Sequence, residues 1–133
     1  MNVKLVAVMA GLALIAAALP VAAHHSFSAE YDQAKVLNIR GKFVKFEWTN
    51  PHSWAYVEVT EKDGTKVIWR GETLPVNLLF RNGWTREATE ALVGKTVTIT
   101  GPAAKDGSRH LFAQSVQADG QAVLQMSGPP PTN

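Results

Sequence analysis

The 133-residue sequence contains no cysteine. That excludes disulfide staples, thiolate metal sites, a cysteine nucleophile and covalent haem attachment. No charge of one sign dominates, with 13 Lys and Arg against 11 Asp and Glu. There is no basic stripe of the kind that tracks a phosphate backbone, so nucleic acid is not an expected partner. A Gly-x-Ser-x-Gly elbow, a Gly-rich phosphate loop and a His-Glu-x-x-His helix are all missing. Ser26 and Ser53 have no spacing to the histidines that suggests a triad. A carboxylate such as Glu47 facing Glu58 across paired strands is weak ground for acid–base chemistry. No catalytic residues are assigned, and the expected class is a binding protein rather than an enzyme.

Long apolar runs are also absent, with one exception at the N-terminus. Lys4 is followed by an unbroken apolar stretch from Leu5 to Leu19, then Pro20 and the small residues Val21-Ala22-Ala23. A short positive region, an apolar core and a small-residue cleavage site make a secretory signal peptide over residues 1–23. The stretch is short for a span, which needs roughly 20 apolar residues. No stable membrane insertion is expected after cleavage, and the expected location is periplasmic or secreted. Cleavage after Ala23 places small residues at −1 and −3 and makes His24 the mature N-terminus. Losing Lys4 leaves 12 cationic residues against 11 acidic ones. The remaining chain has a single-domain length.

Residues 24–38 read as an extended N-terminal segment. From residue 39 the pattern turns to period two, the mark of half-buried strands. Val44, Phe46 and Trp48 alternate with Lys45 and Glu47. Trp54, Tyr56 and Glu58 alternate with Ala55, Val57 and Val59. Asn50-Pro51 separates these strands as a turn, and Asp63-Gly64 forms the next one. Lys66 to Glu72 is a third strand. Val76 to Phe80 suggests a short helix or turn, and Thr85 caps a second helix over 86–93 that stops at Gly94. Thr96 to Thr100 is a fourth strand, Gly101 to Ser108 a loop, and Leu111 to Ala118 the last strand. Three strands, a helical segment and two strands match a mainly β, OB-fold-like five-stranded barrel over 39–126. The tail, 127–133, is disordered by composition.

Three of the four histidines stand in telling places. An N-terminal His24 offers an α-amine and an imidazole, both able to lose their protons near neutral pH. Cleavage after Ala22 would instead make His25 the third residue and give a square-planar amine, amide and imidazole set. Either set suits copper, which heads the divalent affinity order. His25 and His52 would add nitrogens, with Glu47 as an outer or weak axial group. His110, in a loop-rich setting, ranks below them. Aromatic rings form the other cluster. Trp54, Tyr56 and Trp69 fall on neighbouring strands, where an OB-fold often binds its ligand. They define the alternative: a metal-free module for a peptide, glycan or small molecule. Trp84 is expected to plug one end of the barrel.

Ala23-His24-His25-Ser26-Phe27, Phe46-Glu47-Trp48-Thr49-Asn50-Pro51-His52, Arg81-Asn82-Gly83-Trp84-Thr85 and Gly94 to Gly101 together resemble a family of small exported bacterial proteins catalogued as a domain of unknown function. The resemblance covers essentially the whole mature domain. It implies export and a common fold, and no assigned activity. The positions that match the family pattern include His24, His25, Glu47, Asn50, Pro51, His52 and Trp84.

Overall fold

The computed structural model describes residues 27–119 and 121–126. A short helix α1 (Phe27–Glu30) leads directly into β1 (Tyr31–Glu47). β2 (Trp54–Thr60) and β3 (Lys66–Glu72) follow, then α2 (Val76–Arg81) and α3 (Arg86–Glu90). β4 (Thr96–Ala104), β5 (His110–Phe112), β6 (Ser115–Ala118) and β7 (Gln121–Gln125) complete the chain. The sheet order is β1-β2-β3-β5-β4-β6-β7, and a β1–β4 pairing closes the first five strands into a barrel. The closure removes the edges of those strands. This is the OB-like architecture expected from the strand and helix order. No helix among the described residues is long and apolar enough to cross a membrane.

β1 supplies two seams. Residues from Tyr31 to Lys42 pair with β4, and those from Lys42 to Glu47 pair with β2. The register slips between Phe43 and Lys45, where the strand passes from one partner to the other. Strand alternation then sorts the side chains. Phe43, Ala55, Val57, Ile99 and Leu111 are fully buried inside, and Trp69, opposite Val57, packs against the same core. The opposite face carries two in-register rows. One is Lys45–Tyr56–Arg70–His110, and the other is Glu47–Trp54–Glu72–Phe112. The helical segment between β3 and β4 contributes Leu79, Trp84 and Leu92 to the core. Trp84 lies 5.6 Å from Phe46, ring to ring. Thr85 caps α3 as expected, accepting the Ala88 N–H at 3.1 Å.

Several boundaries differ from the sequence reading. β1 begins at Tyr31, inside the segment read as an extended lead-in, because residues 101–104 offer it a partner. β4 correspondingly runs past Thr100 to Ala104. The last strand is split, since the chain leaves β3 and β4 near Ala113 and joins β4 again as β6. β7, at the open edge of the sheet, was not expected from the pattern.

The Asn-Pro-His turn is tied down on several sides. The Asn50–Pro51 bond is cis. Thr49 and Ser53 bond reciprocally at 3.2 and 3.0 Å, and the Thr49 hydroxyl donates to the His52 carbonyl at 2.7 Å. Thr73 bonds the Ser53 carbonyl through its N–H and its hydroxyl. α2 has Pro75 at its cap position and no capping side chain there. Asn50 takes that role from a distance, accepting the Val76 N–H at 3.1 Å. Asn50→Ala leaves that donor without its cap and is expected to cost about 1 kcal/mol, the usual value of a lost helix cap. Urea unfolding of the variant against the parent protein measures it.

Candidate metal centre

Glu72 ends β3 on the outer face, yet its side chain is only 5% exposed. The cover is the start of the described chain. The Phe27 ring stacks on Tyr31 at 5.1 Å and meets Phe112 edge-on at 4.9 Å. Lys105 fastens α1 to the β4–β5 loop, donating its backbone N–H to the Glu30 carbonyl at 2.9 Å and its ammonium to the Ser28 carbonyl at 2.6 Å. Burying a carboxylate is costly unless its oxygens are partnered. Both are: the Tyr31 hydroxyl donates to Oε2, and His52 Nδ1 contacts Oε1.

His110 opens β5 beside this carboxylate, and its side chain is nine-tenths buried. Tyr31 meets its ring edge-on at 5.5 Å, and Trp54 lies 6.1 Å away. Hydrogen bonding fixes its tautomer. The Ser108 hydroxyl donates to Asp106 Oδ1 at 2.7 Å, and the same oxygen lies 2.7 Å from His110 Nδ1. A hydroxyl has one proton to give. The Asp106 carboxyl is held below its ordinary range by the Ser108 hydroxyl and backbone N–H, so it stays an acceptor. Nδ1 must therefore carry the proton that Ser108 accepts, so in the neutral ring the lone pair lies on Nε2. Nε2 is one of two buried side-chain atoms without a hydrogen-bond partner among the described residues, the other being Trp84 Nε1.

That lone pair points at carboxylates. Glu30 Oε1 lies 3.8 Å from Nε2. Donor atoms of Glu30, Glu72 and His110 all lie within 4.8 Å of one another. Two donors each about 2.0–2.2 Å from one ion lie at most about 4.4 Å apart, so small side-chain adjustments bring the three onto a common ion. Glu72 and His110 are buried while Glu30 reaches solvent, and a cation between the two carboxylates would offset their repulsion.

The residues singled out from the sequence divide among several places. His52 reaches the cluster through Glu72. His24 and His25 lie outside the described residues. Glu47 belongs to a neighbouring group: Lys45 ion-pairs with it, and Tyr56 donates to its Oε2 at 2.7 Å. Lys45, then Tyr56, hold its carboxyl below the ordinary range. Trp54 and Tyr56 share the outer face, with the Arg70 guanidinium 5.6 Å over Trp54 and the Lys45 ammonium 4.4 Å over Tyr56. Trp69 sits on the inner face, so the three aromatics do not line one groove. Alternation along β2 and β3 dictates this, since Trp69 pairs with buried Val57. Sequence reasoning missed Glu30, Glu72 and Tyr31. A separate cleft of about 220 Å³ lies beside Trp48, Arg86 and Val93, and there the Trp48 indole N–H is already bonded to Thr89 at 3.2 Å.

Both tyrosines of the chain are pushed above their ordinary range, Tyr31 by burial and the Glu72 bond, Tyr56 by desolvation and the Glu47 bond. A raised acid holds its proton more tightly in the folded state. The stabilisation is complete below the unfolded phenol value of about 10 and is lost as pH rises above it. Near-ultraviolet absorbance is expected to show Tyr31 still protonated at that pH in the folded protein and ionising only on alkaline unfolding, while Tyr56 titrates above its ordinary value. Two tyrosinates formed at that pH in the folded protein would contradict the Tyr31–Glu72 bond.

The model of a family of unknown function (DUF6152) matches residues 11–113. No curated protein matches the chain.

Proposed function

The chain belongs to the family of unknown function DUF6152, and from the geometry of its covered corner we propose that it is an exported barrel that holds one divalent transition-metal ion. Glu30, Glu72 and His110 are the protein ligands. Tyr31 and His52 hold Glu72, while Ser108 and Asp106 orient His110, the outer support that metal-binding histidines and carboxylates need. The observation that carries this reading is the buried His110 Nε2, without a hydrogen-bond partner and gathered with two carboxylates.

Copper is the first choice of ion. Its support is the mature N-terminus left by cleavage after Ala23. His24 precedes Phe27 by three residues, and a chain spans at most about 3.3–3.6 Å per residue. Phe27 is stacked on the tyrosine that binds Glu72. A three-residue link of at most about 11 Å ties His24 to Phe27, and in this reading the amine and imidazole of His24, with His25, join the ion. Added to His110, they turn an oxygen-rich site into a nitrogen-rich one, which copper prefers. Export rests on the pattern of residues 1–23.

Native mass spectrometry of the protein recovered from the periplasm tests both parts. The expected mass begins at His24, and titration with Cu(II) adds one ion per chain ahead of Zn(II). A mass retaining residues 1–23 would contradict export. A chain that takes up neither ion would contradict the metal centre.

A further inference from the structure

The cleft beside α3 has a fixed apolar floor. Phe80 stacks on the Trp48 ring at 5.1 Å, and Phe46 meets it at 5.0 Å. The Thr89 hydroxyl that accepts the Trp48 indole N–H itself donates to the Arg86 carbonyl at 2.9 Å, so the ring is held in place. Val93 also lines the cleft and is 54% exposed, and Phe80 is 49% exposed. Apolar surface that the core does not use is therefore gathered around Trp48.

Charge is placed at the same cleft without internal use. Arg86 and Glu90 lie four residues apart on α3, and both line it. That spacing suits an ion pair. Among the described residues, however, neither side chain makes an ion pair or a hydrogen bond. Arg86 instead lays its guanidinium 5.2 Å over the Trp48 ring. A cation at the start of a helix and an acid at its end also run against the helix dipole, so the arrangement does not serve α3. The third charge of the lining, Lys45, is already taken by Glu47. One unengaged charge of each sign remains above the apolar floor. The volume, about 220 Å³, falls below the roughly 300–1,000 Å³ of sites for drug-sized ligands. It is too small for a dinucleotide or an oligosaccharide and suits a ligand with one short apolar body.

We propose that this cleft binds a free apolar α-amino acid, a zwitterion whose two charges stand side by side. Its carboxylate accepts from the Arg86 guanidinium, whose planar fork matches it. Its ammonium donates to the Glu90 carboxylate, and its side chain lies on Phe46, Trp48 and Val93. A simple anion would meet Glu90 and a simple cation would meet Arg86, so the two charges together select a ligand that carries both. Binding is non-covalent and does not depend on the metal centre proposed above.

Two-dimensional proton–nitrogen NMR of the folded protein, titrated with L-leucine, tests the site. Saturable shifts are expected at the Trp48 indole N–H and the Val93 amide. Isocaproate is leucine without its ammonium, and isoamylamine is leucine without its carboxylate. Each is expected to bind about ten-fold or more weakly than leucine, the usual cost of losing a hydrogen bond to a charged group. Arg86→Gln and Glu90→Gln change exposed positions. Both should keep the parent spectrum without ligand and weaken leucine binding by a similar factor. No saturable shift at Trp48 with leucine would overturn the site. Isocaproate binding as tightly as leucine would overturn the amino-acid assignment, and so would parent-like leucine affinity in both variants.

Discussion

His110→Ala is expected to weaken Cu(II) binding by more than 100-fold, the largest functional effect of any single substitution in this protein. The change removes the only nitrogen donor among the three described ligands and leaves Glu30 and Glu72 facing an empty corner. Ser108→Ala separates this role from simple loss of packing. It keeps the ring and its burial but takes away the acceptor that holds the proton on Nδ1. Outer partners of metal ligands are worth about 10–100-fold in affinity, so Ser108→Ala should fall between the parent and His110→Ala. Glu72→Gln completes the series. Its amide oxygen can still accept from Tyr31, but the charge is gone, and binding should again fall by more than about 10-fold. Isothermal titration of the four proteins measures the order. Parent-like affinity in His110→Ala would remove the ligand assignment.

Gly101→Ala is expected to be the most damaging change to the fold, at about 3 kcal/mol or more, the upper end of overpacking costs. A methyl there would overlap the carbonyl oxygen of Phe112, which is backbone and cannot swing away. β5 would have to leave β4, and His110 is the first residue of β5. A loss of this size is a large share of the 5–15 kcal/mol typical of a domain. Gly64→Ala is the control. A methyl meets nothing there, and only the positive φ of +87° is strained, at about 1–2 kcal/mol. Urea unfolding of both variants should show Gly101→Ala as clearly the worse. Equal costs would mean that the close approach of β4 and β5 is not what positions the site.

The barrel was legible where local chemistry decides structure. β2 and β3 alternate cleanly about the Asp63-Gly64 turn, and Thr85 caps its helix as its residue type suggests. Legibility ended where pairing between distant segments decides. Residues 101–104 look like loop until Tyr31 and Asp32 are laid beside them. The break between β5 and β6 follows from a change of partner that no local pattern records.

The site divides in the same way. His52 stood out because Asn-Pro-His is a compact turn with an obvious ligand. Glu30 and Glu72 each resemble an ordinary surface acid at the end of a short element, and 42 positions separate them. What makes Glu72 special is a bond to Tyr31 from the far side of the barrel sequence. The signal for His110 was present but quiet. Asp106, Ser108 and His110 stand at alternate positions, the spacing that lets a carboxylate, a hydroxyl and a ring line up on one side of an extended segment.

Anomalous diffraction at the copper edge, from crystals of the mature protein grown with one equivalent of Cu(II), tests the metal centre most directly. One peak is expected in the covered corner, about 2.0–2.2 Å from His110 Nε2 and from carboxylate oxygens of Glu30 and Glu72. A peak confined to surface histidines away from Glu72, or no peak in crystals of the folded protein, would contradict it.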